Sequence, residues 1–358
     1  MHVTVLGAGP AGASAAIALA RAGLETRLVD PYEHVGRPLG EGLPARSGAQ
    51  LRSLGVWDPF RADGHLPCSG FLSCWGRAEP GYRSALLDAH GPSWQLDRTR
   101  FDRMLRDAAT AAAGAIARWR LTAVHRQQGR WVLRFADGAT VRRVCTDFVV
   151  DATGRRRAFA RLTGVRQRTN DSLVCVAGLV ADPDPENATT IVEAFEQGWW
   201  FTSRIPGGSA VAVLFTDATQ ASRLRATTPP GWRALAARTG LVQARLGGPD
   251  VRLVAPLRTA AAGSSHLDRC GGEGWLAVGD AACAHDPLSS RGLYDAVSGG
   301  IGAAECVARA LDGDADAPLR WSARTAVAYD RYRRELAWFY GQEARFARQP
   351  FWRDRVTR

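Results

Sequence analysis

Short apolar runs separated by glycine mark out the start of the chain. Val3-Thr4-Val5-Leu6 is too short for a helix and predicts a buried strand. Residues 11–22 follow as an alanine-rich helix stopped by Gly23, and residues 26–30 form a second strand ending on Asp30. Strand, glycine turn, helix and strand in that order make a βαβ unit. Helical spacing returns at 46–55 and at 98–113, the latter through Phe101, Leu105 and Ala108 or Ala109. Over 121–151 the period drops to two. Trp131, Leu133 and Phe135 alternate with Val132 and Arg134, Asp137-Gly138 supplies a hairpin turn, and Phe148-Val149-Val150 runs into Asp151.

Further on, residues 173–180, 190–195, 200–205 and 210–215 read as strands, with a helical stretch near 231–239. A short strand at 275–279 precedes a glycine-containing loop and a long helix near 293–311. In 318–348, Tyr329, Tyr332, Leu336 and Phe339 recur at helical spacing, a stripe that reads as core packing. The chain thus begins in one unit, leaves it for a sheet and returns late. This order predicts a discontinuous nucleotide-binding domain (1–65, 96–170 and 258–312), a sheet domain for the substrate (66–95 and 171–257) and a C-terminal helical segment (313–358).

With 358 residues and 46% of them hydrophobic, the chain can bury a substantial core. No apolar run approaches the roughly 18–20 residues that cross a bilayer, so no membrane association is expected. Met1 leads straight into the first strand without a basic leader, which makes a cytoplasmic protein the expectation. The seven cysteines are scattered without a C-x-x-C pair and predict buried thiols, with neither a disulfide framework nor a metal site. The net charge is +11, and all 46 basic residues are arginine, for there is no lysine. The arginines are dispersed, which points away from nucleic acid and leaves room for an acidic partner protein.

The turn Gly7-Ala8-Gly9-Pro10-Ala11-Gly12 sits where a phosphate-binding turn belongs. Gly7 permits the tight turn, Gly9 lets the backbone approach a pyrophosphate, and Gly12 lets helix and strand pack closely. Asp30, at the end of the second strand, has the spacing of a ribose 2′-hydroxyl acceptor, which disfavours a 2′-phosphate. Two more small-residue turns follow strands, at Asp151-Ala152-Thr153-Gly154-Arg155 and at Gly279-Asp280-Ala281-Ala282.

The three turns together resemble the glutathione-reductase-type FAD fold, an α/β Rossmann architecture with an inserted β-sheet substrate domain. Within it they resemble the superfamily of single-component monooxygenases, geranylgeranyl reductases and flavin-dependent halogenases. That resemblance implies FAD as cofactor, Asp280 on the ribityl chain, and the loop from Asp286 through Pro287, Gly292 and Leu293 at the flavin's pyrimidine edge. Arg37 and Arg98 complete the candidate cofactor contacts, alongside Ala11, Asp151 and Gly154. A single dinucleotide fingerprint implies that electrons come from transiently docked NAD(P)H or through a partner reductase.

Gly40-Glu41-Gly42-Leu43-Pro44 resembles the G-E-S-x-x-P run near the flavin ring of halogenase-like proteins. Ser73-Cys74-Trp75-Gly76, Trp94-Gln95-Leu96-Asp97-Arg98, Phe101-Asp102 and the ending through Phe351-Trp352 resemble the branch that matures quinone cofactors by oxygenating a tryptophan inside a partner protein. Two departures stand out. The W-x-W-x-I-P signature of tryptophan halogenases reads Phe201-Thr202-Ser203-Arg204-Ile205-Pro206, and the lysine those enzymes use is missing. The resemblance therefore implies a monooxygenase that hydroxylates an electron-rich aromatic ring through a flavin C4a-hydroperoxide, rather than a lysine-dependent halogenase. The ring would be tryptophan-like or phenolic, free or carried on a peptide or carrier. An oxidase, dehydrogenase or reductase on the same scaffold, or a maturation partner active only in complex, are the alternatives. The catalytic candidates are His285, Glu41 and Arg291, and the candidate pocket walls are Trp75, Trp199, Trp200 and Phe201.

Overall fold

The computed structural model describes residues 1–33, 41–182, 184, 186–248 and 251–356. Its first layer is a five-stranded sheet in the order Gly271–Gly272, Trp275–Ala277, Phe148–Asp151, His2–Leu6, Glu25–Val29. The last four strands are parallel, and Gly271–Gly272 turns back antiparallel. Parallel strands are covered on both faces, which is why Val3, Val5, Val149 and Val150 are all buried. The helix Pro10–Arg21 lies on this sheet, flanked by the helices Arg98–Ala113 and Gly292–Leu311. It is rich in small residues because it is enclosed, with Ala13, Ala15, Ala16 and Leu19 fully inaccessible.

The helix Arg98–Ala113 has the bounds its spacing predicts, because Asp97 caps it by accepting from the Thr99 and Arg100 amides. The meander follows as Arg120–Gln127, Arg130–Asp137 and Thr140–Thr146, antiparallel throughout. A separate seven-stranded sheet runs Arg258–Ala261, Leu173–Ala181, Ser209–Asp217, Gly198–Ile205, Thr189–Phe195, Gly70–Cys74, Gly81–Ser84. Arg258–Ala261 belongs to this sheet by its pairing with Val174–Ala177, beyond the boundary drawn at 257/258 from sequence. Three short helices, Ala218–Arg223, Pro229–Ala236 and Leu241–Arg245, cover the outer face, where the sequence predicts a single helix.

The helix Ala317–Gly341 packs Tyr329, Tyr332, Leu336 and Tyr340 inward. Phe339, expected on that stripe, is half exposed, and the neighbouring Tyr340 takes its place because the inward direction has rotated past position 339 by that turn. The final helix Pro350–Val356 locks onto the sheet. Its Trp352 indole donates to the Phe195 carbonyl at 2.9 Å, and Arg355 grips Asp217 at 2.7 and 3.1 Å. Burying one such indole contributes on the order of 4–6 kcal/mol of transfer free energy before entropy is subtracted. Among the described residues no helix is long and apolar enough to cross a membrane, and no group of His, Cys, Asp and Glu could hold a metal ion.

Candidate functional site: three glycine turns and an aromatic wall

The first turn is shaped by glycines that have no room for a side chain. A Cβ on Gly7, which sits at φ +97°, would lie 2.4 Å from the Ala152 carbonyl oxygen, and one on Gly12 would lie 1.8 Å from the Gly7 oxygen. Gly9 differs: a Cβ there meets nothing within 4 Å. It caps the helix Pro10–Arg21 without a side-chain hydrogen bond, so the helix end offers its amides and its positive dipole to open space. That opening is the cradle a pyrophosphate requires. Asp30 is buried at the end of its strand and braces the turn, accepting from the Ala8 amide at 2.7 Å and the Tyr32 amide at 3.0 Å. Arg156 lies over the Tyr32 ring at 3.7 Å.

At the second turn, Asp151 is wholly buried and its carboxylate accepts from the Thr153 hydroxyl and from the amides of Thr153, Phe159 and Ala160, at 2.6–3.1 Å. Burial pushes its pKa up while these donors pull it down. With every acceptor site filled by the chain itself, Asp151 shapes the turn rather than facing a ligand. Gly154 takes φ +63° beside open space. Arg157, in left-handed backbone and fully buried, donates to the carbonyls of Ala281, Asp280 and Ser265 at 3.0–3.2 Å. It staples the second turn to the third.

The third turn puts Gly279, at φ +56°, against Ala11, where a Cβ would come 2.9 Å from the alanine methyl. Asp280 is half-buried, with Arg155 at 3.5 Å. The helix Gly292–Leu311 starts at the end of the same loop, with Gly292 exposed at its first turn and Leu293 buried. The loop between them holds Pro287, exposed in a single 3-10 turn that the Asp286 carboxylate caps through the Leu288 amide at 2.9 Å.

His285 lies in this loop with its Nδ1 3.8 Å from Asp295 and its ring edge-on to Tyr332 at 4.5 Å. Burial lowers its pKa to about 4, helped by Arg291 and Arg155 and opposed by Asp280. Arg291 bridges Asp295 at 3.2 Å and Glu335 at 3.4 Å. His285, Arg291 and Asp295, together with Asp280, Trp321, Arg324 and Tyr329, line a cavity of about 300 Å³ between the two long helices. Of the other candidates, Arg98 pairs with Asp102 at 3.1 Å on the first turn of its helix. Glu41 has its backbone in the strand Glu41–Leu43, opposite Leu96, while its side chain and Arg37 lie outside the described residues.

The four aromatic candidates divide between two faces of the seven-stranded sheet, because neighbours in a strand point opposite ways. Trp199 faces inward, stacked on Phe215 at 4.0 Å with Trp75 edge-on at 6.3 Å, and Phe201 joins the same cluster. Trp200 faces outward, buried against Trp232 at 5.0 Å. None of the four lines the cavity beside His285.

A hydrogen-bond chain missed by the sequence reading joins the loop to the inner face. The Trp199 indole donates to the Tyr340 hydroxyl at 3.1 Å, and Tyr340 donates to the Asp286 carboxylate at 2.8 Å. The Asp286 amide donates to the Tyr332 hydroxyl at 2.7 Å, which is itself 2.7 Å from the Ser264 hydroxyl. Burial lifts the Asp286 pKa to about 6, with the Leu288 amide and Tyr340 hydroxyl acting the other way.

Known proteins share this fold. The chain is 28% identical to the FAD-dependent oxidoreductase LodB of Marinomonas mediterranea, over 98% of this chain and 95% of LodB. The flavin-dependent halogenase CmlS superposes with a TM-score of 0.88 at 25% identity, covering 99% of this chain and 67% of CmlS. QhpG, a peptidyl tryptophan dihydroxylase essential for tryptophylquinone cofactor biogenesis, superposes with a TM-score of 0.79 at 27% identity, covering 99% of this chain and 78% of QhpG. The family model for the FAD binding domain matches residues 1–338, and the open cradle at Gly9 fits the group it names. The chain belongs to the FAD binding domain family and is a flavoprotein of its oxidoreductase and halogenase-like members.

Proposed function

We propose that this flavoprotein is a monooxygenase that hydroxylates an electron-rich aromatic ring, tryptophan-like or phenolic, free or borne by a peptide or carrier. The observation that carries this reading is the absence of lysine from a chain otherwise built like a flavin-dependent halogenase. Lysine-directed halogenation has no side chain to run on, and oxygen transfer is the chemistry such a scaffold retains. The likeness to a peptidyl tryptophan dihydroxylase agrees with it.

Bound FAD, once reduced, supplies the electrons that activate dioxygen. The chain's own residues do the rest. Gly9 and the first-turn amides would hold the pyrophosphate and Asp280 the ribityl chain, and the positive end of the helix Gly292–Leu311 would stabilise negative charge on the reduced cofactor. Trp75, Trp199 and Phe201 form an apolar wall on the inner face of the sheet, apart from the cavity beside His285 and joined to the loop through Tyr340 and Asp286. His285, neutral at ordinary pH, presents an unprotonated ring nitrogen that can accept a hydrogen bond from, and so orient, a phenol or an indole in the cavity it lines. Electrons come from NAD(P)H directly or through a partner reductase.

The test is turnover of FAD-loaded protein, with a chemical or enzymatic flavin reductant, on tryptophan-containing peptides and simple phenols under ¹⁸O₂. Label in the product supports hydroxylation. Unlabelled product, or turnover with an artificial acceptor in the absence of oxygen, replaces it with oxidase or dehydrogenase chemistry.

A further inference from the structure

Asp286 is a buried acid inside the loop assigned to the flavin, and its two carboxylate oxygens serve different parts of the fold. One carboxylate oxygen caps the 3-10 turn by accepting from the Leu288 amide, and the other accepts from Tyr340. Tyr340 comes from the far end of the helix Ala317–Gly341, and its oxygen in turn accepts from Trp199 on the sheet. Three separate parts of the fold are therefore joined through this carboxylate and Tyr340: the loop, the C-terminal helix and the aromatic wall.

The direction of each bond fixes the logic. Tyr340 has one proton to donate, and Asp286 can accept it only while that oxygen is unprotonated. A proton on the acid turns the pair around: the acid becomes the donor, and the tyrosine proton is left without its acceptor in a buried site. An unmade bond in such a place weakens the whole chain.

We propose that Asp286 is a proton-holding group beneath the flavin loop and that Tyr340 is its positioning residue, so that uptake of one proton loosens the link between the loop and the aromatic wall. The inference rests on the reading of residues 286–293 as the flavin's pyrimidine-edge loop, not on what the enzyme oxidises. The groups facing Asp286 agree with a single titrating acid. Tyr332 and Tyr340 approach from the long helix with their pKa values raised, chiefly by burial. Asp171 acts from the start of the sheet and raises the acid's pKa, while Arg355 on the last helix lowers it, itself held by Asp217. Arg333 and Asp354 border the same small space of about 30 Å³. His285, the adjacent residue in the loop, is neutral until about pH 4.

The experiment is a pH titration of the visible absorption of oxidised bound FAD, a chromophore that does not itself ionise in the acid range. The wild-type holoprotein should give a difference spectrum with one inflection near pH 6. Asp286→Asn should abolish it. Tyr340→Phe keeps the ring in its cluster but removes the donor that favours the ionised acid, so the inflection should move to higher pH. Trp199→Phe, one bond further away, should move it the same way by less. An inflection that persists in Asp286→Asn, or one that Tyr340→Phe leaves in place or shifts downward, overturns the proposal. Either result would leave hydroxylation untouched, since the flavin spectrum is read without substrate.

Discussion

Two adjacent glycines in one helix should respond to alanine with opposite signs. Gly299 and Gly300 both lie inside the helix Gly292–Leu311, where replacing glycine by alanine ordinarily stabilises by about 1 kcal/mol through the unfolded chain's lost freedom. At Gly299 a Cβ has its nearest neighbour at 3.8 Å, an ordinary contact, so Gly299→Ala should gain most of that amount. At Gly300 it would stand 2.4 Å from the Ala11 carbonyl oxygen and 2.8 Å from the Ala15 nitrogen. Both are backbone atoms of the enclosed first helix and cannot rotate away. Overpacking of this kind costs about 1–3 kcal/mol, and rigid backbone puts it at the upper end, for a net loss of roughly 2 kcal/mol after the propensity gain. The displacement has a second effect. Ala11 also touches Gly279, so prising the two helices apart opens the first turn against the third and should weaken FAD binding at least about tenfold, or ~1.4 kcal/mol. Urea unfolding of the two variants and FAD titration by flavin fluorescence give both numbers. A Gly300→Ala protein as stable as Gly299→Ala would refute the claim that this helix pair is seated backbone to backbone.

Other consequences are as definite. Gly9→Val should fold within about 1 kcal/mol of wild type, because its position is open and extended and the poorer helix cap is its main cost, yet bind FAD at least about tenfold more weakly, because the new side chain fills the cradle; intact affinity would mean that the pyrophosphate lies elsewhere. Asp286 has a folded-state pKa of about 6, above the ordinary carboxylate value, so the stability it contributes is present at low pH and lost as pH rises through that value. Unfolding free energies compared with Asp286→Asn should therefore show wild type losing on the order of 3 kcal/mol between about pH 4 and pH 7, and a flat difference would show that the acid is solvated. His285 should titrate near pH 4 in a histidine NMR experiment assigned with His285→Gln; a value above about 6 would mean that the cavity admits bulk water.

Local features were the legible part of this molecule. The first glycine turn, Asp30 and the helix Arg98–Ala113 are written in contiguous residues whose steric and capping needs appear in the sequence itself. The wall was half legible. Trp199 and Trp200 are neighbours in a strand, and the period of two alone says that both cannot line one pocket. What separates them into inner wall and outer core is the helix Pro229–Ala236, whose Trp232 covers the outer face. The pairing of Asp286 with Tyr340 spans 54 residues, and nothing in either local pattern announces it. Arg157 follows Arg155 and Arg156 with nothing local to set it apart; its burial follows from a left-handed backbone that sends it under the third turn instead of into solvent.

The seven-stranded sheet has a bearing on how the protein is made. Among the described residues its one parallel pair joins Gly70–Cys74 to Thr189–Phe195, so an early segment must wait for a much later one before the sheet is whole. The first strand likewise meets Phe148–Asp151, which only afterwards gains Trp275–Ala277, and the helix that seats Gly300 is later still. A chain emerging from the ribosome thus carries unpaired strand edges through most of its synthesis, and slow, long-range closure is the rule for such connectivity. The nucleotide cradle, though it opens with residue 7, becomes complete only when the last third of the chain arrives. Capture of FAD therefore marks the end of assembly, and a nascent chain stalled before residue 300 should emerge without its yellow colour.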